Sequence, residues 1–563
     1  LNDNSVGHRG STDWAHDVLF GGIMHTKQVG DKYIINTRTN YYHKPVWSLN
    51  WKWNVDEQSS LSTTLYGSKG RGGGTGPMNT RDTYMGDDGV DDYYKYFNPA
   101  EMSDGTIDWT QVIANNQQWS SGSDFDTTYS DDMRRSKRII RASVNHHDWT
   151  GVLSTYNRTV NENLKITTGV DVRSYAGEHY REVVNLLGGD YYVHHYAKAG
   201  ETGTERMRGV GGLIDYHNTG YHDWYGGWAQ TEYTTDSWSA VLSGAQSVSR
   251  YQRQEQYNET EGDEYSKVLI FPGNALKLGF NFNVNDNLNV FLAAGNMSKA
   301  PKFSNAYLSY SNTPNTGAKN ESISSMDVGV SYRSDMLDVT TTYYSNTWED
   351  KALTLYSAPD IYNITGLSAN HSGIEVEADV RPMDLLSVDA ALSFGNWAWG
   401  ENVDAVFSSD YDRTNTTEVK LYTDGLKVGF QPQTQMAFGL NLFPVEGLTV
   451  NATFQMNDNF YAGFDPADRV LDTDDTQELQ DAVTSVKDVV QLDAYNMMDL
   501  HLSYKMNLMG TDLVLGAHVL NALDTEYVTY AEDQGFEDDG SNSAPKVFYG
   551  SGRQIRMSFK VSL

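Results

Sequence analysis

The chain has 563 residues, 12% of them aromatic, including 37 Tyr and 13 Trp; it has no cysteine, and 42 Lys and Arg stand against 74 Asp and Glu for a formal net charge of -32. Without thiols no disulfide framework or thiolate metal site can hold the fold, the acidic balance argues against nucleic acid as a partner, and no run of about 18 apolar residues exists to form a spanning helix. The texture is uniform and contains no linker, so residues 1–563 are expected to form one architecture.

Leu1 opens a polar stretch without the charged and apolar regions of a secretion signal, so the gene product is expected to begin upstream of it. Further along, apolar and polar residues alternate with a period of two, over lengths near the 9 to 11 residues that a tilted strand needs to cross a bilayer. In chain order, one face of each segment carries Leu164, Ile166, Thr168, Val170 and Val172; Leu276, Leu278, Phe280 and Phe282; Leu288, Val290, Leu292 and Ala294; and Met326, Val328, Val330 and Tyr332. The pattern continues in Ile374, Val376, Ala378 and Val380; Leu448, Val450, Ala452, Phe454 and Met456; and Met498, Leu500, Leu502, Tyr504 and Met506. The final segment sets Ile555, Met557, Phe559, Val561 and Leu563 against Arg556, Ser558, Lys560 and Ser562. From Trp47 onward about 17 such segments are predicted.

Strands with one oily and one polar side explain how the mean hydropathy can be as low as -0.56 in a chain so rich in aromatics: only alternate residues of a transmembrane β-barrel face lipid, and aromatics collect at its two interfaces. A secreted all-β protein of sandwiches or propeller blades shares the composition, but it has no reason to alternate its loop lengths. Short turns are predicted at 54–57, 161–163, 235–237, 285–287, 334–336, 382–384, 444–447 and 508–510, and between them lie long polar excursions at 72–132, 186–221, 300–320, 401–425, 464–491 and 532–545. Outer-membrane barrels have this asymmetry, with tight periplasmic turns and long extracellular loops. The fold class is therefore an all-β, antiparallel transmembrane barrel in outer-membrane lipid. Because such barrels have an even number of strands, an odd count that starts on a descending strand leads us to expect further strands before Leu1. Leu479, Val483, Val486 and Val490 repeat at helical spacing, so a short helix is predicted within 474–491, with a frayed loop as the alternative.

Few residues suggest chemistry. Gly72 to Gly74 beside Lys69 and Arg71 lack the Gly-Lys-Ser/Thr ending of a phosphate loop and read as strand glycines that allow close backbone approach. Asp87, Asp88, Asp91 and Asp92, then Asp472, Asp474 and Asp475, and Asp538 with Asp539, offer closely spaced carboxylates to structural calcium in the outer loops, although solvated loop charge is the plainer reading and no other cofactor is expected. The pairs His146 with His147 and His194 with His195 are candidate metal ligands, but adjacent strand residues point to opposite faces and cannot easily share an ion. Glu375, Glu377 and Asp379 share a strand face and are expected to line the lumen, guiding a cationic solute or pairing with arginines that fill the barrel. Tyr84, Tyr93, Tyr94, Tyr96, Tyr191, Tyr192 and Tyr196 lie in outer loops, where they are candidates to stack on a sugar or grip a peptide, or else serve as loop packing. No nucleophile, base and orienter fall at catalytic spacing, so no enzyme activity is expected.

Several phrases resemble the TonB-dependent receptor family. Tyr42 to Pro45 ahead of Trp47, Leu49, Trp51 and Trp53, then Leu61 to Tyr66 and Gly70 to Gly74, are similar to an early barrel hairpin of that family; Ala142 to Trp149 and Gly169 to Tyr180 look like the next. Ser298 to Pro301, Gly373 to Glu377, and Val519 to Tyr527 resemble later strand ends and the penultimate strand. The resemblance implies a barrel of 22 strands, of which this chain would hold about 17, around an N-terminal plug that engages TonB. On this resemblance the sequence is expected to lack the plug and the first strands, and it departs from the family in having Leu563 where an aromatic is common, although Phe559 stands in the same strand. The implied function is active uptake of a scarce small molecule, glycan or peptide (siderophore, cobalamin, oligosaccharide or peptide) across a Gram-negative outer membrane, with the TonB complex and a surface lipoprotein as partners. A passive porin-like channel and a surface adhesin or lipoprotein platform are the alternatives.

Overall fold

A computed structural model describes residues 37–79, 109–118, 129–194, 196–260, 262–357, 360–409, 412–471, 475–508 and 510–562, together with the short strands Thr26–Val29, Lys32–Ile35, Met102–Ser103 and Thr106–Ile107. Its body is one antiparallel sheet in barrel order. The wall strands are β1 (Val46–Asp56), β2 (Ser59–Asn79), β3 (Arg138–Thr159), β4 (Leu164–Asn185), β5 (Leu213–Thr234), β6 (Trp238–Glu255), β7 (Leu269–Asn283), β8 (Leu288–Lys299) and β9 (Glu321–Arg333). They continue as β10 (Leu337–Ser357), β11 (Asp360–Met383), β12 (Leu386–Trp399), β13 (Thr434–Leu442), β14 (Leu448–Asp458), β15 (Tyr495–Leu508), β16 (Thr511–Leu520) and β17 (Gln554–Ser562). Each pairs antiparallel with the next in sequence. Such up-and-down connectivity needs only hairpins.

The registers turn period-two alternation into two continuous surfaces. Leu49, Leu65, Val152, Val172, Tyr225 and Val248 stand side by side across six strands, and all are exposed. An exposed apolar row of this length is untenable in water and stable in lipid. The opposite face is polar and hydrogen-bonded from strand to strand: Asn289 Nδ2 donates to Asn281 Oδ1 at 2.7 Å, and Asn451 Nδ2 donates to Asn441 Oδ1 at 2.8 Å. The other sheets among the described residues are four two-stranded ones, far too small to pair face to face with the wall as the second layer of a sandwich. At the two ends of the sheet, no register pair joins β17 to β1 among the described residues, and Met557 on β17 is 85% exposed.

Short turns occupy 57–58, 160–163, 235–237, 284–287, 334–336, 384–385 and 443–447, and another lies between Leu508 and Thr511; all overlap the predicted positions. β2 and β5 run into the excursions predicted at 72–132 and 186–221, because these strands continue past the bilayer, whereas the connections between wall strands at 400–433, 459–494 and 521–553 are longer than predicted. β2 continues through Gly72 to Gly74, where a second short strand, Asn40–His43, pairs with it. Pro45, which has no amide hydrogen, separates that strand from β1. A Cβ at Gly70 would lie 2.3 Å from the His147 ring, so a side chain there has no room. On the same side as these strand extensions, a hairpin of Val403–Ser409 and Asp412–Leu421 pairs with the start of β11.

Buried apolar side chains gather at the loop-bearing ends of the wall strands and in the outer loops. One cluster holds Tyr362, Ile364, Leu367, Val403, Ala405 and Leu421; others hold Ile139, Val183, Tyr192 and Ile214, and Phe460, Ala462, Leu492 and Ala531. The structure has two helices of more than one turn among the described residues. The helix α1 (Trp109–Gln118), absent from the sequence prediction, buries Trp109, Val112 and Asn116. Asn116 ties it to the wall, donating to the Arg138 and Leu187 carbonyls and accepting from the Lys137 amide. The predicted helix is α2 (Gln477–Thr484), shorter than its apolar pattern: Thr476 Oγ1 accepts from the Leu479 amide at its start, and Val486 turns to φ 54° just beyond its end.

Candidate functional site

Because apolar residues mark the lipid side, alternation identifies the side chains that point into the barrel. At the end carrying the short turns, register aligns Asp338, Asp379 and Asp389 on three adjacent strands. Glu377 lies between Thr340 and Ala391, and Glu375 between Thr342 and Ser393. Arg333 Nε is 2.6 Å from Asp338 Oδ2, and Asn441 donates to Asp389. Glu375, Glu377 and Asp379 are exposed on this inward face.

At the opposite, loop-bearing end the inward face is aromatic and, in one patch, cationic. Over β2 to β6, Tyr66 packs edge-on against Trp149, His147 stacks on Tyr175, and His222 meets Tyr251 at 4.6 Å between ring centroids. Over β8 to β12, Lys351 Nζ lies 4.1 Å from the centroid of Trp348 and 5.7 Å from that of Trp399, while Lys299 Nζ lies 5.0 Å from Trp348 and 2.8 Å from Glu321. Trp397 donates to the Tyr344 hydroxyl at 2.8 Å, and its ring lies beside His371. The Trp348 indole N–H is buried and has no acceptor among the described residues. This arrangement would accept an anionic group beside a flat or apolar body.

Residues 3–522 match the family model for the TonB dependent receptor-like β-barrel. The chain belongs to this family. It therefore resides in the outer membrane of a Gram-negative bacterium, in a family of transporters. Among solved structures, the ferric citrate transporter FecA in its unliganded form matches with a TM-score of 0.57 and 12% identity over 92% of this chain and 61% of its own. The copper transporter OprC matches at 0.58 and 12% over 94% and 67%, and the siderophore receptor PiuA from Acinetobacter baumannii at 0.55 and 11% over 95% and 66%. The chain thus spans 61% to 67% of the length of these structures, and the likeness is one of fold. No curated protein sequence matches the chain.

Within this TonB-dependent receptor barrel, the histidine pairs separate. His147 faces inward, 3.0 Å from Ser68 Oγ, whereas His146 lies on the other face, 3.5 Å from Glu178, whose second oxygen meets His217 at 3.0 Å. His194 is buried, which pushes its pKa down to about 3 and keeps the ring neutral; His195 lies outside the described residues. Tyr191 and Tyr192 are 1% and 0% exposed, and Tyr192 packs with Ile139, Val183 and Ile214. Tyr196 is half-buried, and its carbonyl accepts from the Tyr257 hydroxyl. Tyr84, Tyr93, Tyr94 and Tyr96, with Asp87, Asp88, Asp91, Asp92, Asp472 and Asp474, lie outside the described residues. Asp475 accepts from Gln480 through its carbonyl, and Asp539 accepts from the Ser541 amide. No group of three or more metal-ligating side chains forms among the described residues.

The sequence reading missed the cationic tryptophan patch and a close pair, His501 with His518. The histidine pair could have been found by counting alternation outward from a turn, since His501 and His518 are register partners across the hairpin that joins β15 to β16.

Proposed function

We propose that this barrel is the wall of a receptor for active, TonB-driven uptake of a scarce solute that carries an anionic group beside an aromatic or apolar body. The patch of Lys299, Lys351, Trp348 and Trp399 carries the reading: in a chain of net charge -32, cations gathered against tryptophans at the loop-bearing end of the inward face are a local exception with a ligand-binding chemistry. Structures of similar fold include receptors or transporters for ferric citrate, a siderophore and copper, which agrees with a metal complex as solute while leaving cobalamin, an oligosaccharide or a peptide as further classes. The plug that would engage TonB, a surface lipoprotein partner, calcium in the outer loops and solute contacts from the outer-loop tyrosines are parts of the same proposal.

The test is uptake of radiolabelled ferric citrate, as an anionic metal-complex probe, by cells expressing the full-length receptor with and without TonB. Saturable uptake is expected that disappears without TonB and whose half-saturating concentration rises in K351Q and K299Q. Uptake that persists without TonB indicates a passive channel. Anion uptake indifferent to both lysines overturns the assignment of the patch.

A further inference from the structure

Two histidines in the wall face each other with nothing between them. His501 on β15 and His518 on β16 are register partners on the inward face, and their Nδ1 atoms are 2.9 Å apart, with ring centroids at 5.1 Å. At that distance one Nδ1–H donates to the other Nδ1. The same separation has a second meaning. A metal ion binds imidazole nitrogen at about 2.0–2.1 Å, and two such nitrogens at a right angle around one ion lie about 2.9–3.0 Å apart. The wall therefore holds two imidazole donors at the span of a cis chelate, on paired strands whose backbone hydrogen bonds fix the spacing in advance.

We infer that His501 and His518 form a two-imidazole site for a borderline divalent transition-metal ion, Cu²⁺ in preference to Zn²⁺ or Ni²⁺, on the inward wall of the barrel. Imidazole ligands suit these ions, and the general order of affinity puts Cu²⁺ ahead. Binding requires the donating ring to move its proton from Nδ1 to Nε2, so that both Nδ1 lone pairs face the ion; the neutral pair releases no net proton. No third histidine or carboxylate completes a site among the described residues, so the remaining positions fall to water or to a donor on a passing molecule. A site with open positions exchanges its ion, which is the property a transport pathway needs and a structural site lacks.

The surroundings set the strength. On β15, Asp499 and Ser503 flank His501 on the same face, and Asp499 accepts from the Asn521 amide at 2.8 Å. On β14, Asn451 is the register partner of His501. On β17, Arg556 is the register partner of His518, and Ser558 Oγ lies 3.5 Å from its Nε2. One carboxylate and one guanidinium thus face the pair, and their fields oppose each other at the metal position.

The inference does not depend on which solute is carried or on TonB. It is tested by titrating the purified barrel in detergent with CuSO₄, following heat by calorimetry and ligand nitrogens by electron paramagnetic resonance. One saturable site is expected with hyperfine structure from two imidazole nitrogens, weaker for ZnSO₄. H501Q and H518Q should each weaken Cu²⁺ binding by at least about tenfold, as removal of one arm of a chelate does, while H217Q leaves it unchanged. If either variant fails to assemble, the wild-type spectrum carries the test, because its hyperfine structure must show two imidazole nitrogens rather than one or none. Absence of saturable binding in the wild-type protein overturns the inference, and so does wild-type affinity in both variants.

Discussion

The most demanding side chains in the molecule lie in its outer loops. Arg469 and Asp533 are both 0% exposed, their charged groups 2.9 Å apart, with Arg469 also donating to the Lys487 carbonyl and lying over the ring of Phe536. A buried ion pair adds little net stability, but removing one partner strands the other charge at a cost of about 3–5 kcal/mol. R469M is therefore expected to loosen the packing of 460–471 against 528–549, seen as accelerated hydrogen exchange there while the wall strands exchange as in the wild type. Unchanged exchange would show that water relieves the stranded Asp533. Beside this pair, burial raises the pKa of Asp468 to about 6, with Asp465 and Asp533 adding to the rise and Arg469 opposing it. Because the folded value exceeds the ordinary carboxylate value, the folded loops bind a proton that the unfolded ones release between about pH 4 and 6. Stability is thus full at low pH and falls as pH rises through 6. After allowance for the solvent that reaches this half-buried group, the change is about 1–2 kcal/mol. Thermal unfolding of the outer loops should begin at a higher temperature at pH 5 than at pH 7, and D468N should remove the difference.

At the scale of strands and turns, legibility followed locality. The turns at 160–163 and 284–287 are built alike: Asn161 Oδ1 accepts from the amides of Asn163 and Leu164, and Asn285 Oδ1 from those of Asn287 and Leu288. An Asn two residues ahead of an Asn-Leu strand start is visible in four letters of sequence, because the interaction it encodes reaches only three residues along the chain. Strand faces were equally legible, since lipid imposes one rule on every second residue. The helix α1 was not, because its three buried residues, Trp109, Val112 and Asn116, answer to β3 and the loop after β4 rather than to lipid, and an Asn at a core position looks like a surface residue. The Lys351 patch was hidden for another reason: a register shift in β10 between Trp348 and Lys351 breaks the alternation that would have assigned its direction. The rule that did work makes a sided prediction. Val170 on β4 points to lipid about midway up the wall, so V170R should cost about 2–4 kcal/mol and lower the fraction of barrel that resists unfolding in cold detergent on a gel. T167R, whose side chain faces inward on the same strand, should leave that fraction near the wild-type value. Equal effects at both positions would mean that the two faces have been misassigned.

For the molecule as a whole, the arrangement of charge along the barrel decides what it can pass unaided. The inward face carries Lys299 and Lys351 at the loop-bearing end and Glu375, Glu377, Asp338, Asp379 and Asp389 toward the short-turn end. On the proposed reading, an anion drawn to the lysines would meet carboxylates on its way inward and find no downhill path, and a cation would meet the reverse. Two unit charges about 4 Å apart in water interact by about 1 kcal/mol, and exposed charges are screened beyond about 10 Å at 0.1 M salt. In proteoliposomes at low ionic strength, this barrel should therefore admit gluconate roughly fivefold more slowly than the neutral sugar glucose, the factor that about 1 kcal/mol corresponds to. The triple variant E375Q/E377Q/D379N should close most of that gap, and raising the salt to 0.5 M should close it in the wild-type protein as well. A gap that survives both changes would have to come from size or from a lumen filled by other groups, and the carboxylates would then have no part in it. If the gap closes as expected, the acidic rung is a barrier that passive diffusion of an anion pays at every crossing, and it gives a physical reason for such a receptor to couple entry to an external source of work.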